Sequence, residues 1–121
     1  MALILIVDDA AFSRRMIRKI LQADGYEIVE ANNGREGLEI TRSQTPDLIL
    51  TDILMPDLNG FEFLKILQEQ GSKIPAIIIS ADIQEASRNQ CLELGAAGFI
   101  NKPPKGDELR KTVRQFFEFK E

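Results

Sequence analysis

The 121-residue sequence contains no histidine, and that absence removes more chemistry than any other feature of its composition. Without an imidazole there is no Ser-His-Asp relay, no histidine-ligated metal and no histidine phosphocarrier in the chain. Cys91 is the single cysteine, which excludes an internal disulfide and a thiolate metal cluster. In the helix-like stretch Gln90-Cys91-Leu92-Glu93-Leu94 it reads as a small buried hydrophobe. No apolar run approaches the ~18 residues of a spanning helix. The run Ala2 to Val7 has no basic segment before it and is too short for a signal peptide. The expected location is the cytoplasm, with no membrane partner. Positive charge is also scarce: 19 acidic and 15 basic residues leave −4, which argues against direct nucleic-acid binding.

What remains for chemistry is carboxylates, lysines, hydroxyls and a hard cation. The length suits one domain, residues 1–121, with a single core and no linker or repeat. Ala2 to Val7 is a continuous apolar run ending at Asp8-Asp9, as in a central parallel strand covered on both faces. A helix is expected over Ala10 to Asp24, ended by Gly25, then a strand over Tyr26 to Glu30. Arg35 to Ser43 is expected to be a short helix, and the weakest one, because Gly37 interrupts it. Asp47 to Thr51, Pro75 to Ile79 and Ala97 to Ile100 complete the strands. Helices are expected over Gly60 to Gln70, Ile83 to Leu94 and Gly106 to about Lys120. Strand and helix thus alternate five times, which implies a parallel sheet with helices on both faces.

Functional groups in such sheets collect at the C-terminal ends of the strands, near the topological switch point. Those ends carry Asp8-Asp9, Asp52, Ser80 and Lys102. Each has a plain reading when taken alone: a helix cap, a turn acid, a loop hydroxyl, a surface lysine. Together, at the tips of four strands, they point to one site. Like-charged carboxylates 4 Å apart repel by about 4 kcal/mol at an effective dielectric near 20, so the cluster calls for a counter-charge. An all-oxygen donor set favours Mg²⁺, with Mn²⁺ as the alternative. Asp9 and Asp52 are the expected direct ligands, Asp8 acts directly or through water, and the Leu54 backbone carbonyl completes the set. Asp52 can also act as a nucleophile toward phosphorus, with Lys102 and Ser80 reaching the phosphoryl oxygens.

Val7-Asp8-Asp9, Thr51-Asp52-Ile53-Leu54-Met55-Pro56 with Asn59-Gly60, Ser80-Ala81 and Lys102-Pro103 resemble the receiver domains of two-component response regulators, most of all the stand-alone chemotaxis type. The resemblance covers the whole chain. It implies a flavodoxin-like (βα)5 three-layer sandwich with strand order 2-1-3-4-5. It implies that Asp52 is the phosphoacceptor, that Asp8 and Asp9 hold Mg²⁺, and that Ser80 and Lys102 contact the phosphoryl group. It further implies a cis peptide before Pro103 and a switch in which Phe99 turns inward as Ser80 moves. The implied partners are a histidine kinase or histidine phosphotransfer protein and a downstream protein target that docks on the fourth helix, fifth strand and fifth helix. A monomer is expected, with a phosphorylation-linked dimer as the alternative. Leu54 and Asp82, each two residues past a site residue, flank the path of an attacking water and are expected to tune phosphate lifetime.

Other readings are a receiver cut from a longer regulator, a carboxylate-based phosphohydrolase, a flavodoxin-like cofactor binder and a pseudo-receiver. The phosphohydrolase reading is disfavoured because Leu54 stands where such an enzyme places its general acid. The cofactor reading is disfavoured because Asp8-Asp9 would repel an anion. The pseudo-receiver reading is disfavoured because every required group is present. The chain is therefore expected to act as a switch and not as a dedicated enzyme. Two surface features stay open. Arg14, Arg15, Arg18 and Lys19 form either a solvated helix face or a docking patch for an acidic partner. Phe117 and Phe119 belong either to a wide core or to a contact surface.

Overall fold

The computed structural model describes residues 2–81 and 84–118; Asp82 and Phe119, both singled out above, lie outside the described residues. The elements are β1 (Leu3–Val7), α1 (Ala11–Ala23), β2 (Glu27–Ala31), α2 (Gly34–Gln44) and β3 (Leu48–Thr51), followed by α3 (Gly60–Glu69), β4 (Ala76–Ser80), α4 (Glu85–Glu93), β5 (Gly98–Asn101) and α5 (Gly106–Glu118). All strand pairings are parallel, in the order β2-β1-β3-β4-β5. This is the flavodoxin-like arrangement that the resemblance implied.

Two-sided burial explains why the central strands read as unbroken apolar runs. On one face Leu5, Val7, Ile49 and Ile78 pack with Leu38, Phe63, Leu64 and Cys91 of α2, α3 and α4. On the other, Ile4, Ile6, Leu50 and Ile79 pack with Ile17 and Leu21 of α1 and Leu109 and Val113 of α5. Each such side chain contributes roughly 1.5–3 kcal/mol when fully buried, so these positions dominate the core energetics. Register then sets the site. Val7 pairs with Thr51 and Ser80 with Asn101, which brings the residues just past β1, β3 and β5 to one edge of the sheet.

Element boundaries differ from the sequence expectation by one or two residues, as fraying ends do. Gly37 changes meaning. A Cβ there would lie 3.1 Å from Val7 Cγ2 and 3.2 Å from Phe63 Cζ, so the glycine lets α2 approach the sheet closely. The helix with the thinnest anchoring is α4 instead. Cys91 is its one buried residue, and Gln84 at its N-cap makes no side-chain cap hydrogen bond. Phe117 is half-buried and stacks on Tyr26 with ring centroids 5.5 Å apart, which gives it a place at the margin of the core.

Candidate functional site

The strand ends converge on a small acidic cluster. Asp8 follows β1 and is 2% exposed; Asp52 follows β3 and is 8% exposed. Both inherit their placement from the sheet, because Asp8 N–H donates to the Ala31 carbonyl at 3.1 Å and Asp52 N–H donates to the Val7 carbonyl at 3.0 Å. The crevice between β1 and β3 is the topological switch point, since the chain winds from β1 to one side and then from β3 to the other.

The two buried carboxylates share one cation. Lys102 Nζ lies 2.6 Å from Asp8 Oδ2 and 2.6 Å from Asp52 Oδ2. The remaining oxygens take main-chain donors: Ala10 N–H reaches Asp8 Oδ1 at 2.9 Å, and Ile53 N–H reaches Asp52 Oδ1 at 2.6 Å. Burial alone would lower the Lys102 pKa, but hydrogen bonds to Asp52 and Asp8 and their negative charge more than reverse that effect. The net result lies above the usual 10.5, so the ammonium stays charged at neutral pH. The lysine backbone is fixed as well: its N–H donates to the Ser80 carbonyl at 2.8 Å, and the Lys102–Pro103 peptide is cis.

Asp9 is exposed, and its carboxylate makes no hydrogen bond or ion pair among the described residues. One oxygen each from Asp8, Asp9 and Asp52 lies within 4.8 Å of the other two. Three carboxylates against one ammonium leave two negative charges. Oxygen donors with that charge fit a hard divalent ion.

Ser80 is fully buried at the last position of β4. Phe99 pairs with Ile78, so Phe99 and Ser80 share the sheet face that α4 covers; Phe99 is half-buried against that core. The Leu54 side chain is 68% exposed, two residues past Asp52. Pro103 is exposed, whereas Pro104 beside it is buried.

Two contributions are not evident from motif spacing. Gly60 opens α3 with its N–H on the Ile53 carbonyl at 2.8 Å. A Cβ there would collide with the Asp52 carbonyl and sit 2.7 Å from Ile53 Cα. The glycine therefore permits α3 to start directly against the Asp52 backbone, with an Asn59/Glu62 capping box fixing the start. The second is Arg14. It is not part of a free basic face: Nε pairs with Glu30 at 3.1 Å, and Nη1 donates to the Asp8 carbonyl at 2.5 Å. Arg18 also pairs with Glu30, at 2.7 Å, so the basic patch reduces to Arg15 and Lys19. The available signal was the alternation of β2, which puts Glu30 on the same side as Ile28, facing α1. The exposed feature of α1 is instead Phe12, 75% exposed, beside a groove of about 300 Å³ that Met16, Ala81, Pro103 and Pro104 line next to Lys102.

No helix among the described residues is long and apolar enough to cross a membrane. Comparison with known proteins agrees with the geometry. The chain is 42% identical over 114 residues to a protein-glutamate methylesterase/protein-glutamine glutaminase of Treponema denticola, and spans about a third (31%) of that protein while 91% of this chain is matched. It is 38% identical over 113 residues to the chemotaxis protein CheY of Bacillus subtilis, covering 93% of this chain and 94% of that one. The solved receiver domain of a Francisella response regulator has a TM-score of 0.94 at 28% identity, with 100% of both chains covered. The response regulator receiver domain family matches residues 4–114, and with the acid cluster and lysine standing at the strand tips of that fold, the chain belongs to this family of two-component signalling domains.

Proposed function

We propose that this chain is a phosphorylation-switched signalling domain in which Asp52 is the phosphoacceptor. The observation that carries the reading is the bridging of Asp8 and Asp52 by Lys102 at 2.6 Å each, with Asp9 on the open side. The donor is a phospho-histidine of a sensor kinase or phosphotransfer protein. An Asp52 carboxylate oxygen attacks phosphorus, the P–O bond forms as the P–N bond breaks, and the imidazole leaves with the electron pair. Lys102 then exchanges part of its carboxylate contact for a phosphoryl oxygen, and the Ser80 hydroxyl donates to another. Asp8, Asp9, Asp52 and the Leu54 carbonyl would hold Mg²⁺, or Mn²⁺ in its place. The bound ion supplies charge that offsets the incoming phosphoryl group.

The phosphoryl group adds about −1.5 to −2 charges and strong acceptors. Closure of Ser80 onto it favours one arrangement of the loop after β4, and Phe99, on the same sheet face, follows inward. The face formed by α4, β5 and α5 thereby changes for a downstream protein target. Leu54 and Asp82 set how long the phosphate survives. Residues 1–121 act as one unit in this reading, whether alone or joined to an output domain, and catalysis is confined to the chain's own phosphorylation and dephosphorylation.

Intact mass after incubation with acetyl phosphate and Mg²⁺ tests this. One phosphoryl group on the wild type, lost with a chelator and lost in Asp52→Ala, is the expected result. An unaffected Asp52→Ala, or no adduct on the wild type, contradicts it. Rapid turnover of many phosphate esters would favour the phosphohydrolase reading instead.

A further inference from the structure

Among the acids of the cluster, Asp8 and Asp52 are each held at both carboxylate oxygens, yet Asp9 has no side-chain anchor among the described residues. Something else must set where the Asp9 carboxylate sits. The group placed to do it is Arg14, one turn into α1. Its side chain is 13% exposed and spans the Asp8 main-chain carbonyl and Glu30 of β2. The Asp8 carbonyl and the Asp9 N–H belong to one planar peptide unit, so clamping that oxygen fixes the plane from which Asp9 departs. Only the Asp9 backbone and side-chain torsions then remain to be ordered.

We propose that Arg14 is a positioning residue for Asp9, acting through the Asp8–Asp9 peptide so that the free carboxylate is aimed at the divalent-cation site. The proposal rests on the reading of the acid cluster as that site. Three features of the geometry support it. The guanidinium is planar with a fixed fork of donors, which lets one end hold a carbonyl while the other holds a carboxylate. Glu30 gives the fork a rigid base, because β2 is in register with β1 through Ile6↔Glu30 and Val7↔Ala31. Arg18 holds the second oxygen of Glu30, so the carboxylate is fixed from both sides. A lysine would carry the charge without the fork.

Mg²⁺ titration by calorimetry, alongside thermal unfolding of the same samples in chelator, tests the proposal. Loss of a group that orients a metal ligand typically weakens affinity 10–100-fold, so Arg14→Gln is expected to raise the Mg²⁺ Kd roughly tenfold. Arg14→Lys should fall between, and Glu30→Gln should weaken binding less than Arg14→Gln. Arg18→Gln, which loosens the same glutamate without reaching Asp8, should weaken binding less than Glu30→Gln does. A wild-type Kd in Arg14→Gln with a lowered unfolding temperature would overturn the proposal, since that is a structural role only. If Arg14→Gln does not fold, an unchanged Kd in both Arg14→Lys and Glu30→Gln overturns it. A wild type that binds no Mg²⁺ would overturn the site reading itself, and the two failures are distinguished by that control.

Discussion

The tips of β1 and β3 and the helix α4 belong to the same sandwich but are held in opposite ways. Asp8 is tied at its N–H, its carbonyl and both carboxylate oxygens, and Asp52 at its N–H and both carboxylate oxygens. In α4, Cys91 is the one buried residue, and the helix starts without a side-chain cap. Groups that react must be held at fixed spacing, because small misplacements cost large factors in rate. A surface that responds must be cheap to displace, and elements with few buried contacts are the ones that move at low free-energy cost. In the proposed reading the two requirements are kept apart, the first at the tips of β1 and β3 and the second on α4. Ser80 and Phe99, neighbours on the face that α4 covers, lie between them.

Lys102 is where a single substitution should disturb the rigid end of the sheet most. Lys102→Met leaves two buried carboxylates facing each other with no cation, and removing one partner from a buried ion pair costs about 3 kcal/mol or more. Urea unfolding without Mg²⁺ should show that loss, and saturating Mg²⁺ should shrink it. Equal losses in both conditions would mean that Lys102 is not the charge balance of the cluster. The Lys102 pKa is raised, so its contribution is complete below 10.5 and is lost only as pH rises through the higher folded value. The stabilisation that Lys102 supplies to the wild type is therefore expected to stay flat through the neutral range.

Gly60→Ala comes next. The added Cβ meets main chain, not a flexible side chain, so the Asp52 loop or the α3 start has to shift. A loss of about 2 kcal/mol is expected, together with slower phosphorylation by acetyl phosphate. Stability and rate equal to wild type would show that the Asp52 backbone is less constrained than described. The smallest effect belongs to α4. Gln84→Ser supplies the missing cap and should stabilise that helix by about 0.5–1 kcal/mol. Slower amide exchange confined to α4, with the global unfolding midpoint nearly unchanged, is the expected outcome. Exchange that slows across the whole sheet would mean α4 is not a separately opening unit.

Much of this was legible in the sequence because the physics was local. Two-sided burial makes β1, β3 and β4 continuous apolar runs, and parallel topology sends their C-terminal residues to one edge, so Asp8, Asp52, Ser80 and Lys102 could be grouped without coordinates. What escaped depends on distance between elements. Gly37 looks like a helix defect until Val7 and Phe63 are found against it, and Gly60 looks like an ordinary helix start until the Asp52 carbonyl is found behind it. Arg14 reads as one of several surface cations because nothing in its own helix shows that Glu30, 16 positions away, is its partner. Phe63 is fully buried together with Leu64 and Leu67, so α3 packs a broader face than one helical stripe of apolar residues suggests. Propensity singles out α2 through Gly37, whereas tertiary burial, which supplies most helix stability, is thinnest in α4.

The most direct measurement asks which carboxylate carries the phosphoryl group. An acyl phosphate is reduced by borohydride to an alcohol, so treating the Mg²⁺–acetyl phosphate reaction with borohydride and sequencing the peptides by mass marks the acceptor. The reduced residue is expected at position 52 alone, dependent on Mg²⁺. A mark at Asp8 or Asp9, or an adduct that no carboxylate carries, would contradict Asp52 as the phosphoacceptor.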